Sequence, residues 1–159
     1  MDGASSHFHG TAIAVGDRAA LIRGPSGSGK SDLALRCLAM GQSPLVEQPA
    51  RLIADDQVII HRIGARLSAT APASLKGLIE VRGIGIASVD ATDQADVVLI
   101  VDLLPDGVVA ERLPQPWPTV RLLDLAVPQI RISAFEPSAA IKTLLALGGK
   151  AVLLPPVCI

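Results

Sequence analysis

Aromatic residues are scarce in this chain. It has no tyrosine, two phenylalanines (Phe8, Phe135) and one tryptophan (Trp117), together 2% of its residues. There is no row of rings on which successive nucleic-acid bases could stack. The core must be built from Ala, Val, Leu and Ile. Charge is thin as well: 18% of residues are Asp, Glu, Lys or Arg, and the formal net charge is −1. Such a balance excludes a charged disordered tail. It also leaves no broad basic footprint for nucleic acid or an anionic membrane. Cysteine is limited to Cys37 and Cys158, far apart and outside any metal-binding spacing. They read as two free thiols of a reducing compartment. No apolar run reaches the roughly 18 residues of a membrane span. The opening MDGASSHFHG lacks the basic stretch and apolar run of a secretory signal. A cytoplasmic protein with no membrane partner is expected.

What is present is apolar: half of the 159 residues. That length suits a single domain over residues 1–159, large enough to need no staple. Residues 10–15 and 19–23 read as strands, with Gly16-Asp17 as a hairpin turn between them. Residues 30–40 read as a helix, with Leu33, Ala34, Cys37 and Leu38 at helical spacing and Gly41 as its end. Further strand signals lie at 52–54, 58–60 and 66–68, with a turn at Gly64. Residues 78–89 read as one strand broken by Gly83 and Gly85, where glycine suggests a bulge or a close backbone approach. Residues 96–104 are apolar on both faces, as a central strand is. The Pro-rich stretch 105–118 holds no clear element. Short strands at 120–123 and 129–133 and a helix at 137–147 complete a mixed α/β pattern.

The sharpest motif is Gly24-Pro25-Ser26-Gly27-Ser28-Gly29-Lys30-Ser31, a full G-x-x-x-x-G-K-[ST] between a strand and a helix. Backbone N–H groups must curl around phosphate oxygens here, and glycine permits that curl. The helix that follows turns its positive end on the same oxygens. Lys30 can reach the outer phosphates, and Ser31 offers a hydroxyl to a bridging Mg²⁺. Nucleotide binding is the function this motif carries.

Two places could supply the acidic partner. Asp102 closes the apolar run VVLIVD, and Asp55-Asp56 follows Leu52-Ile53-Ala54. Adjacent carboxylates repel unless they face a cation or hold a proton between them. The pattern alone does not choose between these sites. Glu80, with Arg82 and two glycines nearby, could serve a metal and a phosphate, or be an exposed strand edge. His9, at the start of the first strand, could be structural or an active-site group.

In order, the chain carries His9-Gly10, the phosphate loop, Leu52-Ile53-Ala54-Asp55-Asp56 and Glu80-Val81-Arg82-Gly83-Ile84-Gly85-Ile86. This series resembles the catalytic domain of bacterial HPr kinase/phosphorylase, and Val127-Pro128-Gln129-Ile130 extends the likeness toward the C-terminus. The resemblance implies an α/β phosphate-loop kinase fold of the HPr kinase and PEP carboxykinase-like type, a mixed sheet around a strand–loop–helix core. It implies an ATP- and Mg²⁺-dependent protein-serine kinase acting on HPr, or on a nitrogen-system relative of that phosphocarrier. By the same resemblance Asp56 is the base, Lys30 stabilises the transferring phosphoryl, and Ser31, Glu80 and Asp55 serve the metal. His9 and Arg121 become active-site residues, and Asp56 takes precedence over Asp102. A homo-oligomer, commonly a hexamer, is implied too.

Two departures from the family pattern carry expectations. Few residues precede His9, which suggests a short form consisting of the catalytic domain. An arginine-rich segment linked to dephosphorylation is replaced by Phe135-Glu136-Pro137-Ser138-Ala139-Ala140. Kinase activity with reduced or absent phosphorylase activity is therefore expected. The alternatives are a phosphate-loop kinase for a small metabolite and a non-catalytic nucleotide-sensing module.

Overall fold

The computed structural model describes residues 3–114 and 116–149. Cys158 lies outside them. Eleven strands, two α-helices and a short 3-10 turn at Ala73–Leu75 are formed among the described residues. Nine strands make one sheet: β1 (Ser5–His9), β2 (Thr11–Val15), β3 (Arg18–Arg23), β4 (Arg51–Ala54), β5 (Gln57–Ile63), β6 (Arg66–Thr70), β9 (Ala95–Leu103), β10 (Thr119–Leu122) and β11 (Leu125–Ile132). Its main path runs β1-β5-β6-β9-β3-β2-β4. A separate hairpin pairs β7 (Leu78–Val81) with β8 (Gly85–Ser88). The helices are α1 (Lys30–Ala39) and α2 (Ala139–Leu147).

The apolar run expected to be central is central. β9 lies parallel to β3 along one side and meets β6 and then β11 along the other. The alternating small and β-branched residues of β2 and β3 pair around Gly16-Asp17, where Gly16 takes a φ of 60°. One face of the sheet buries Ile13, Ile22, Leu99 and Val101 against Leu33 and Cys37 of α1 and Leu144 and Leu147 of α2. The other face packs Leu21, Ile53, Val58, Ile60 and Ile100 together. At roughly 1.5–3 kcal/mol for each large side chain fully buried, these two layers supply the main stabilising term.

The sheet must also curl. β1 and β4 stand at opposite ends of the strand order, yet only Gly10 separates β1 from β2, and β2 pairs with β4. Only Asp55 and Asp56 separate β4 from β5, which pairs with β1. Both short connections bring the two ends of the sheet together, and the Gly10 N–H donates to the Asp56 carbonyl across that corner at 3.1 Å. A Cβ on Gly10 would lie 2.9 Å from the Ile22 carbonyl oxygen, so the corner has no room for a side chain.

Several expectations change. Residues 5–9 form a strand that the polar string SSHFH conceals, because only Ser6 and Phe8 turn partly inward. Gly10 is the corner and not the first residue of β2. Residues 78–89 are a hairpin and not one interrupted strand. Gly83 and Gly85 adopt φ values of 87° and 124°, and nothing lies within 4 Å of a Cβ built on either. They are there for the turn, not for a bulge or close contact. β11 starts earlier than expected and changes partner along its length, with β10 opposite its first half and β9 beside its second. Pro128, which has no N–H to give, sits at that change.

Candidate active site

The phosphate loop leaves the end of β3 and enters α1, as its flanks require. Gly27 and Gly29 take φ values of 79° and 98°. Gly29 is the residue before the helix and provides no side-chain cap, so the first N–H groups of α1 remain free for an anion. Lys30 is buried, and its ammonium donates to the Gly24 and Pro25 carbonyls at 2.8 and 3.0 Å. Ser28 Oγ is buried against Gly24 without a hydrogen-bond partner among the described residues.

The two adjacent aspartates diverge. Asp55 follows the last residue of β4 and turns inward, only 7% exposed. Oδ1 accepts from Ser31 Oγ at 2.6 Å and from Thr11 Oγ1 at 2.9 Å, and Oδ2 accepts from the Glu80 N–H at 2.9 Å. Asp56 has a φ of 67°, in the left-handed region that a short polar side chain tolerates better than most. That reversal points it outward, and Oδ1 lies 3.0 Å from His9 Nε2. The β1–β5 register explains the meeting, since His9 stands opposite Gln57, the residue after Asp56. Repulsion between the paired carboxylates is relieved by giving each its own partners.

A cleft of about 270 Å³ opens beside these groups; Asp55 and Thr11 are not among its lining residues. Lys30, Ser31, Asp56, His9 and Glu80 all line it, with Arg82 on the hairpin turn at its rim. Gly27, Gly29 and Ser26 contribute the loop wall. The cleft thus gathers most of the residues expected from the sequence. Arg121 is not among its lining residues: it lies on β10, where its guanidinium donates to the Asp124 carbonyl of its own hairpin at 2.9 Å. Asp102 is engaged elsewhere. Arg23 binds it with both Nε and Nη2, at 2.8 and 2.7 Å, and Gln129 donates to it as well. Burial pushes the Asp102 carboxyl up, but the Arg23 and Gln129 hydrogen bonds and the Arg23 and Arg131 charges outweigh it and hold the carboxyl below its ordinary range.

The oxygen donors expected to serve a divalent cation are Ser31, Asp55 and Glu80, of which Ser31 and Glu80 line the cleft. Among the described residues no three His, Cys, Asp or Glu side chains form a metal-holding group. Ser31 Oγ and Asp55 Oδ1 are hard oxygens at the helix N-terminus, beside the loop. Mg²⁺ is commonly held by one or two carboxylates together with substrate phosphates and water. Such a site needs no larger protein cage.

Thr11 carries no local sequence signal. It is a fully buried threonine on β2, and only the closed sheet reveals that it orients Asp55. Cys37 is a free thiol in the core, and burial pushes it up to about 12. No helix among the described residues is long and apolar enough to cross a membrane.

The HPr Serine kinase C-terminal domain family matches residues 3–146. An HPr kinase/phosphorylase of Chlorobium phaeobacteroides is 32% identical over 139 residues, covering 80% of this chain and 41% of that protein. One from Levilactobacillus brevis is 34% identical over 134 residues, covering 78% of this chain and 40% of its own length. The chain therefore spans about 40% of the length of these curated relatives. The structure of the HPr(Ser) kinase/phosphatase from Coxiella burnetii superposes with a TM-score of 0.72 at 22% identity, over 91% of this chain and 96% of that one, and so shares the fold. With the phosphate loop, the paired aspartates and the Glu80–Ile86 signature in place, the chain belongs to the HPr serine kinase C-terminal domain family.

Proposed function

We propose that this domain transfers the terminal phosphoryl group of ATP to a serine of HPr or a related phosphocarrier. The observation that carries the reading is the divergence of Asp55 and Asp56. One carboxylate is buried against the phosphate-loop serine, while its neighbour stands in the open cleft beside His9.

In this reading the loop N–H groups and Lys30 bind the triphosphate. Ser31, Asp55 and Glu80 would hold Mg²⁺, with Thr11 and the Glu80 N–H fixing the Asp55 carboxylate. When bound, the ion neutralises charge on the outer phosphates. Asp56 takes the proton of the incoming serine hydroxyl as the serine oxygen bonds to the terminal phosphorus. The bond to the bridging oxygen breaks, and ADP leaves with its electron pair. His9 restrains Asp56 through one oxygen and leaves the other free of protein hydrogen bonds among the described residues. Phosphoryl transfer depends mainly on positioning and charge stabilisation, so these few groups suffice.

The reverse reaction needs phosphate to attack the phosphoserine and release pyrophosphate. Residues 135–140 carry no arginine to gather that second anion. Reduced or absent phosphorylase activity is part of the proposal, as is assembly into a homo-oligomer, which sedimentation would measure.

The experiment is incubation of the protein with radiolabelled ATP, Mg²⁺ and purified HPr. Label should appear on a serine of HPr and be lost with Asp56→Asn. ATP binding with transfer to no protein would refute the kinase reading and favour a nucleotide sensor. Seryl-phosphorylated HPr incubated with phosphate should release little pyrophosphate, and brisk release would overturn that part.

A further inference from the structure

The three aromatic side chains are not equivalent. Phe8 and Trp117 are partly buried against the two cores. Phe135 is 62% exposed and lines the cleft. A single exposed apolar side chain is ordinary on a protein surface. The support around this one is less ordinary. The carbonyls of Ala134 and Glu136, on either side of it, both accept from the Arg36 guanidinium. Asp32, in the first turn of α1, holds that guanidinium at 2.9 Å. The ring also abuts the phosphate loop, since a Cβ built on Gly29 would meet Phe135 Cζ at 2.9 Å. Leu35, one turn beyond Ser31, lines the same cleft.

Topology decides which end of a nucleotide meets this ring. β3, β9 and β11 run parallel, so the loop after β3 and residues 133–136 after β11 leave the same edge of the sheet. Ligands of parallel sheets bind at that edge. Asp55, Asp56 and His9 lie on the other flank of β3, at the corner formed with β2 and β4. A triphosphate cradled by the loop with its terminal group toward Asp56 therefore directs its nucleoside to the β11 side.

We propose that Phe135 is the nucleobase platform of this site, its ring face stacking on the purine of ATP with Leu35 as apolar neighbour. It is a specificity-determining residue and does not touch the reacting atoms. The inference rests on the nucleotide reading of the phosphate loop.

The test is calorimetric titration with ATP and, separately, with inorganic tripolyphosphate, both with Mg²⁺. Base–aromatic stacking is typically strong enough that Phe135→Ala should weaken ATP binding about tenfold or more. Tripolyphosphate, which has no base, should bind both proteins equally. Phe135→Leu keeps apolar bulk against Gly29 without the aromatic face and should lose ATP affinity in the same selective way. Phe135→Trp should retain it and show fluorescence quenching with ATP but not with tripolyphosphate. Parallel loss of both ligands would overturn the proposal, because the ring would then be supporting the loop. Unchanged ATP affinity in both Phe135→Ala and Phe135→Leu would overturn it as well. Wild-type protein that binds neither ligand would refute the nucleotide site itself.

Discussion

Thr11→Val isolates one link in the Asp55 network. Thr11 is fully buried, and its hydroxyl donates to Asp55 Oδ1 at 2.9 Å. Valine replaces that hydroxyl with a methyl of similar size, so packing is nearly preserved. A hydrogen bond to a charged acceptor is worth about 1.5–3 kcal/mol. Two contributions reduce the loss. The buried hydroxyl no longer has to be desolvated, and Asp55 keeps its bonds from Ser31 and the Glu80 N–H. A net destabilisation of about 1–2 kcal/mol follows. For a domain of this size that lowers the midpoint of thermal unfolding by about 2–8 °C. Circular dichroism melts measure the shift directly. The Asp55→Asn background supplies the control: if the hydroxyl acts through Asp55, the two substitutions are non-additive. An unchanged melting temperature, or full additivity with Asp55→Asn, would refute the claim that Thr11 is there to hold the carboxylate.

Two further outcomes concern the loop and the sheet. Gly29→Ala places a methyl 2.9 Å from both Ala134 Cβ and Phe135 Cζ, at a φ of 98°. The left-handed conformation alone costs of order 1–2 kcal/mol, so ATP affinity and thermal stability should fall together; an alanine variant with normal ATP affinity would contradict the loop geometry. Asp102, held below its ordinary carboxylate range, gives stability that is present above the unfolded value of 3.8 and is lost as pH falls through the lower folded value. The unfolded chain binds the proton first, so stability rises with pH in that window. Asp102→Asn should flatten the acid limb of a stability–pH curve measured by urea unfolding, and an unchanged limb would show that the Arg23 pair contributes nothing there.

The parts legible in the sequence are those governed by short-range chemistry. The phosphate loop declares itself because only glycine meets its φ demands between a strand and a helix. The turns at Gly16-Asp17 and Gly64 are readable for the same reason. The β10–β11 turn is not, because Leu123 and Asp124 take φ values of 45° and 65° without a glycine to announce them. β1 is hidden because its pairing with β5 is non-local and its one large apolar residue is Phe8. The different partners of Asp55 and Asp56 depend on the closing of the sheet, which no local pattern encodes. Asp102 is the converse case: an apolar strand ending in aspartate leaves a metal ligand open on pattern alone, and the neighbouring strand supplies Arg23 to occupy it.

The central claim is that two adjacent carboxylates have separate tasks, and a paired measurement on Asp55→Asn and Asp56→Asn reaches it most directly. Mg²⁺-dependent ATP affinity and the rate of label transfer to HPr are recorded for each. The account predicts that Asp55→Asn weakens Mg²⁺-dependent ATP binding, while Asp56→Asn binds Mg²⁺-ATP normally and transfers at least about 100-fold more slowly, the usual scale of a lost general base. Equal loss of affinity in both variants, or undiminished transfer by Asp56→Asn, would contradict it.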